Sequence, residues 1–147
     1  MVKIIRKVDL IMENIYDEVI CHGFCNVLAN ELNQKLNLPL QAAIDYDFDI
    51  ESSVLVHMWN VLPNGQNYDG KGIMPSNTLK YLEDNYEELD QFIVLTDSNE
   101  IKDLIQFWID SKIPLPSKND FLQSDGNKDQ AAQYLKSHID FVSNLLN

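Results

Sequence analysis

An apolar and aromatic run that ends in the loop Leu62–Gly65, with the sequence Leu-Pro-Asn-Gly, constrains this chain more than any other feature. A proline followed two positions later by glycine is typical of a three-residue hairpin loop, in which a left-handed residue closes a type I turn. Such a loop sets the register of its two strands, and here it pairs Asn60 with Tyr68 and Trp59 with Asp69. The sequence therefore predicts an antiparallel hairpin over residues 54–69.

The same register brings a histidine and an acid together. Side chains alternate along a strand, so His57 shares a face with Trp59, and Asp69 becomes the diagonal neighbour of His57 on the other strand. A carboxylate in that position fixes the tautomer and the orientation of an imidazole. Each residue also has a simpler interpretation, since His57 can be a packing residue and Asp69 can be the side-chain acceptor of a turn over Asp69–Gly72.

A cysteine is predicted at the start of a helix. Gly23 can end one helix and let a second begin, which Asn37 would end. The apolar positions of this second helix recur at helical spacing: Cys25, Leu28, Leu32 and Leu36. Free backbone N–H groups and the positive end of the helix dipole favour a reactive thiolate there and could hold an oxyanion. The competing interpretation of Cys25 is a small buried hydrophobe, which is a common role of free cysteine.

Neither a metal nor a cofactor is expected. Cys21, His22 and Cys25 lie close together, but the Cys-His-x-x-Cys spacing is not one used for zinc and no second ligand pair follows. The acidic run over residues 45–49 has the alternation of a calcium loop, yet apolar residues occupy the positions that need glycine and glutamate. This run is expected instead to be a strand that leads into an exposed acidic turn.

The rest of the chain predicts helices around this centre. An apolar stripe over residues 3–19 predicts a first amphipathic helix. After the hairpin, Ser76 is expected to cap a helix that runs to about Tyr86, and residues 92–98 to form a short buried strand and the start of another helix. A last helix carries His138, which is expected at the edge of its apolar stripe and without function. The predicted fold class is α+β, with N-terminal helices packed on a small antiparallel sheet and further helices at the C-terminus.

Length and composition fit one intracellular domain. With 147 residues, of which 45% are hydrophobic, the chain is expected to be a single domain with a core over residues 20–75 and a mainly helical scaffold over residues 76–147. No apolar stretch reaches the roughly 18 residues of a membrane span, and the charged start is not typical of a signal peptide, which predicts a soluble, cytoplasmic protein. Two cysteines fit a reducing compartment.

A net charge of −12 restricts the partners that the chain can bind. Phosphate binding needs clustered lysine and arginine, so nucleic acid and anionic membrane surfaces are not expected as ligands. A basic protein or peptide is the favoured partner, although an acidic surface can also serve solubility alone. The sequence carries no signal for oligomeric state.

Taken together, these residues resemble the core of the papain-like superfamily of cysteine hydrolases, and most closely its transglutaminase-like branch and small bacterial and phage relatives. The resemblance rests on Gly-Phe-Cys at residues 23–25, on a histidine in a strand and on Tyr-Asp at residues 68–69 in the return strand. In that superfamily a cysteine begins a helix, and a histidine and then an aspartate or asparagine follow on two strands. The resemblance implies Cys25 as nucleophile, His57 as general base and then acid, and Asp69 as the residue that orients His57. It also implies a papain- or transglutaminase-like core.

One departure from the superfamily concerns the oxyanion. Papain-type proteases carry a glutamine shortly before the cysteine as an oxyanion donor, and residues 19–23 contain none. His22 and Trp59 are the candidates for a second donor beside the Cys25 backbone N–H. The expected function is cysteine-dependent acyl transfer on a carboxamide, isopeptide or ester bond of a protein or peptide, as in a deamidase, peptidase or transglutaminase. The alternative is an acidic, non-catalytic binding or inhibitor protein of mobile-element origin that sequesters a basic surface, and an inactive relative that keeps the fold is a third reading.

Overall fold

The computed structural model describes residues 16, 20, 24–47, 52–86, 92–111, 115–124 and 126–146. In these residues the protein is an α+β fold with helices packed on a five-stranded antiparallel sheet. The helices are α1 (Cys25–Leu36), α2 (Thr78–Asn85), α3 (Ser98–Asp110), α4 (Lys118–Leu122) and α5 (Lys128–Leu146). The strands are β1 (Leu40–Asp47), β2 (Ser52–Val61), β3 (Asn67–Asp69), β4 (Gly72–Ile73) and β5 (Phe92–Leu95). The helix predicted over residues 3–19 lies outside the described residues, apart from Tyr16, which is helical and buried.

Helix α1 begins at Cys25 and ends before Asn37, as the sequence predicts. Asn37 adopts the left-handed conformation, with φ of 58°, and its N–H donates to the carbonyl of Leu32, which closes the last turn. One side of the helix packs into a core shared with α5 and β3, through residues that include Leu28 and Leu32. The side that carries Cys25 faces the sheet.

The hairpin has the predicted register. Asn60 pairs with Tyr68 across β2 and β3. In the loop the Leu62 N–H donates to the Gln66 carbonyl at 2.8 Å, and the Gly65 N–H donates to the Leu62 carbonyl at 2.8 Å. Gly65 has a φ of +87°, the left-handed value that the prediction assigned to it. The three-residue loop led by proline is therefore confirmed.

Strand β2 contains a bulge beside His57. Along the β1–β2 ladder, Ala43 lies opposite His57, but the next residue, Ile44, lies opposite Leu55. Val56 is thus an extra residue in β2. A bulge bends its strand and re-aims the neighbouring side chains. This irregularity positions the imidazole, and it could not be predicted from the loop alone.

The sheet is covered on both faces, in the order β4-β3-β2-β1-β5. One face packs against α1 and α3 through an apolar cluster made of Cys25, Ala29, Leu40, Ala42, Met58 and Ile101. A second cluster surrounds Trp59 and consists of Ala43, Met74 and Leu82. Asn60 links α1 to the sheet, because its Nδ2 donates to the Ala29 carbonyl at 2.9 Å. In the part of the chain described, no helix has both the length and the apolar character that crossing a bilayer requires.

Two predicted details of the scaffold are corrected, and one helix was missed. Helix α2 is capped by Asn77 rather than by Ser76, since the Asn77 side chain accepts from the Lys80 N–H. Strand β5 was expected to be buried, but Ile93 is 44% exposed, because β5 lies at the edge of the sheet and pairs with β1 on one side. The short helix α4 was not predicted, although Ser117 begins it with a capping box.

Candidate active site

Cys25 is the first residue of α1 and is 6% exposed. The preceding residue, Phe24, makes no side-chain hydrogen bond to the first turn. The next residue, Asn26, fixes this end of the helix to a distant part of the chain, since its Nδ2 donates to the Pro116 carbonyl at 2.8 Å. The thiol is therefore held at a helix N-terminus, where backbone N–H groups lack partners within the helix.

His57 connects Cys25 to Asp69. The imidazole is fully buried. Its Nε2 lies 2.8 Å from Oδ2 of Asp69, which confirms the side-chain contact predicted from the hairpin register. Cys25 lies close enough to His57 for its side chain to raise the pKa of the imidazole. The structure thus brings together the cysteine, the histidine and the aspartate that the sequence singled out.

Asp69 serves both of the roles considered for it. It is 4% exposed and lies at the end of β3. Oδ2 accepts hydrogen bonds from His57 and, at 2.9 Å, from the hydroxyl of Tyr81. Oδ1 accepts from the backbone N–H of Lys71 at 2.9 Å, which is the turn contact. The carboxylate is fixed on both oxygens and cannot rotate away from His57 without breaking these bonds.

The environment of His57 favours its charged form. Burial alone lowers the pKa of a histidine, because it removes the charged ring from water. Hydrogen bonds to Asp69 and Cys25, together with the negative charge of Asp69, outweigh burial here and raise the pKa of His57 from 6.5 to about 9. At neutral pH the ring is therefore an imidazolium, which can stabilise a thiolate and donate a proton to a leaving group.

Of the two candidates for the second oxyanion donor, Trp59 lies within the described residues. His22 lies outside the described residues. The indole N–H of Trp59 donates to Oε1 of Gln41 at 3.0 Å. The Trp59 ring stacks on His57, with 5.7 Å between the ring centroids and an interplanar angle of 29°. In this arrangement Trp59 contributes an aromatic wall to the site, and its donor is already used by Gln41.

Two tyrosines complete the surroundings of the imidazole, and neither was predicted from the sequence. The hydroxyl of Tyr86 lies 3.0 Å from Nδ1 of His57. The hydroxyl of Tyr81 lies on the opposite side of the imidazole, where it donates to Asp69. Both tyrosines belong to α2 or its C-terminal cap. Their spacing of five residues is not a recognisable motif, and only the tertiary packing of α2 against the sheet brings them to this site.

His138 is buried rather than at the edge of its helix, which corrects the prediction. It is 1% exposed, and its Nδ1 lies 2.5 Å from the hydroxyl of Tyr68. Burial lowers the pKa of His138 to about 4, although the charge of Asp69 acts in the opposite direction. At neutral pH it is an uncharged core residue that packs edge-on against Tyr134, with 4.7 Å between the ring centroids.

Comparisons with protein-family models, with curated proteins and with solved structures each find no match to this chain. The likeness to the papain-like superfamily accordingly stays a prediction that rests on the residues themselves. Across the described ranges, no group of three or more histidine, cysteine, aspartate or glutamate side chains is arranged to hold a metal ion. Cys21 and His22, which were weighed as metal ligands, lie outside those ranges.

Proposed function

We propose that this protein is a cysteine-dependent acyl-transfer enzyme in which Cys25 is the nucleophile. The observation that carries the proposal is the position of His57, which bonds to Asp69 through Nε2 at 2.8 Å and lies close enough to Cys25 for the thiol to raise its pKa. A nucleophilic cysteine needs an adjacent base that a third group orients. A cysteine retained for packing alone needs no such partner. The geometry therefore supports catalysis over the packing interpretation.

The reaction begins when Sγ of Cys25 attacks the carbonyl carbon of a carboxamide, isopeptide or ester. The bond from that carbon to the leaving nitrogen or oxygen breaks, and the leaving atom takes the proton from His57. Water or a second amine then attacks the thioester and gives its proton to His57, which releases the product and restores the starting pair. Asp69 holds the imidazole in one orientation through both proton transfers.

The tetrahedral intermediate carries a negative oxygen that needs donors close to Sγ. The backbone N–H of Cys25 is suited to this role, because the first turn of a helix has N–H groups without intrahelical acceptors. Phe24 supplies no side-chain acceptor that would compete for them. The positive end of the α1 dipole adds to the stabilisation of the oxyanion.

The substrates ranked first are glutamine side chains or isopeptide bonds in basic segments of a partner protein. The net charge of −12 raises the local concentration of cationic partners and speeds their association. Asp45, which is half-buried on β1, lies two residues from Ala43, the neighbour of His57. Asp47 and Asp49 follow it in the sequence, and this acidic run is suited to attract a basic substrate.

The test is a screen of basic and acidic glutamine-containing peptides, with two readouts. Ammonia release reports attack on the carboxamide, and incorporation of a fluorescent amine separates transfer from hydrolysis. The active protein should lose both signals in Cys25→Ser and keep them in the matched control Cys21→Ser. Turnover that persists in Cys25→Ser would contradict the proposal.

The acidity of the chain supports a second candidate, which is a non-catalytic protein that covers a basic partner surface. Its net charge of −12 is the specific observation in favour of this function. The two candidates differ in their dependence on the thiol. A binding protein would keep its affinity for a basic partner, and any inhibition of that partner, in Cys25→Ala. The enzyme would lose its activity in the same variant.

A further inference from the structure

The nitrogen of His57 that faces away from Asp69 has a tyrosine beside it. Nε2 is bonded to Asp69, and the hydroxyl of Tyr86 lies 3.0 Å from Nδ1. The two rings also pack together, with 5.5 Å between their centroids and an interplanar angle of 35°. His57 is fully buried whereas Tyr86 is half-buried. Tyr86 is therefore part of the cover that separates the imidazole from solvent.

An imidazole nitrogen makes one strong hydrogen bond in the plane of the ring. Nδ1 is a single acceptor when the ring is neutral and a single N–H donor when the ring is charged. Cys25 lies close enough to His57 to raise its pKa, and Nε2 is already held by the carboxylate, so the thiol can reach the ring nitrogens only at Nδ1. The thiol of Cys25 and the hydroxyl of Tyr86 thus compete for Nδ1. While Tyr86 holds that nitrogen, the interaction of Nδ1 with the thiol is weakened, and a leaving group cannot take the proton of Nδ1.

We propose that Tyr86 is a positioning residue that gates the nucleophile through His57: its hydroxyl restrains Nδ1 in the resting protein and leaves Nδ1 when a substrate binds. This inference rests on the proposed function. In an acyl transfer, the leaving nitrogen of the substrate must approach Nδ1 to take its proton. The hydroxyl of Tyr86 occupies that position in the resting protein. Binding of an amide substrate and displacement of Tyr86 are therefore one event.

The helix that carries Tyr86 is suited to such a movement. Tyr86 is the C-cap of α2, a helix of eight residues whose single buried residue is Leu82. Elements with little buried apolar surface open at a lower cost in free energy than the core does. By contrast, β2 carries several fully buried residues around His57, including Met58 and Trp59. The base stays fixed on the sheet, and the gate lies on the more weakly held helix.

Tyr86→Phe isolates the hydroxyl, because the ring and its packing remain. Cys25 then has no competitor at Nδ1, and loss of one competing hydrogen bond favours the reactive pair by about two- to tenfold. Tyr81→Phe is the matched control, since it makes the same change on the same helix. Its hydroxyl bonds to Asp69 at 2.9 Å rather than to Nδ1, so its removal should not accelerate the thiol.

The experiment measures the rate of Cys25 alkylation by iodoacetamide at neutral pH in a Cys21→Ser background. Tyr86→Phe should react about two- to tenfold faster than the parent, and Tyr81→Phe should not react faster. The nitrogen NMR signal of His57 Nδ1 gives a readout that does not depend on the reaction, and it should shift in Tyr86→Phe alone. A parent with an activated, His57-dependent thiol and an unchanged rate in Tyr86→Phe would overturn the gate. A thiol that reacts like glutathione in every variant would overturn the proposed function together with the gate.

Discussion

The stability of the fold should depend on pH through His57, in a direction set by its partners. The pKa of His57 is about 9 in the folded protein against an ordinary value of 6.5. A raised pKa means that the folded state binds the proton more tightly than the unfolded chain does. The resulting stabilisation is fully present below pH 6.5 and is lost as the pH rises through about 9. At about 1.4 kcal/mol per pKa unit, the contribution is on the order of 3 kcal/mol.

Urea unfolding across this pH range measures that contribution. The tryptophans at 59 and 108 are both buried, so their fluorescence should report the transition. The reference is His57→Gln, which has no titrating group at this position but is otherwise identical. The unfolding free energy of the wild type should fall relative to the reference by up to about 3 kcal/mol between pH 6.5 and pH 9. If the unfolding free energies of the two proteins change in parallel with pH, Asp69 and Cys25 do not hold the imidazole in its charged form.

Three further predictions concern the scaffold of the site. Burial lowers the pKa of His138 to about 4, so its contribution to stability is present above pH 6.5 and is lost as the pH falls toward 4. In His138→Phe the free energy of unfolding should therefore fall less steeply between pH 6.5 and pH 4 than in the wild type. Gly65→Ala should lower the free energy of unfolding by about 1 kcal/mol, because φ is +87° and no atom lies within 4 Å of the added carbon, and a neutral effect would refute the turn assignment. Asn60→Ala should lower the free energy of unfolding by about 1–3 kcal/mol, because it removes a buried hydrogen bond to the Ala29 carbonyl. The matched change at an exposed position, Asn85→Ala, should lower it by under about 0.5 kcal/mol. Equal losses would contradict the link between α1 and the sheet.

The parts of the site that could be predicted from the sequence are those set by short-range chemistry. The loop Leu62–Gly65 fixes its own conformation through proline and glycine, and the conformation fixes the strand register. That register places His57 and Asp69 on one face within side-chain reach, whereas the bulge at Val56 beside His57 does not follow from it. The start of α1 at Cys25 is also local, since the apolar spacing of the helix and the left-handed Asn37 define its bounds.

The parts that could not be predicted depend on contacts between distant segments. Tyr86 reaches His57 across 29 positions of the sequence, and nothing in its neighbourhood distinguishes it from an ordinary helix-end residue. His138 lies on the apolar stripe of α5, but its burial depends on the hydroxyl of Tyr68, which is 70 positions away. The exposure of Ile93 likewise follows from the place of β5 in the strand order, which periodicity does not encode.

The most direct test of the central claim is the pH dependence of Cys25 alkylation by iodoacetamide in the wild type and in His57→Ala, with the modified residue located by mass spectrometry. Cys21→Ser serves as the control that removes the other thiol. Cys25 should be modified rapidly at a pH well below about 8.5, where an ordinary thiol titrates, and this reactivity should be lost in His57→Ala. A Cys25 that is inert, or that reacts like an ordinary thiol in both proteins, would contradict the claim that His57 activates it.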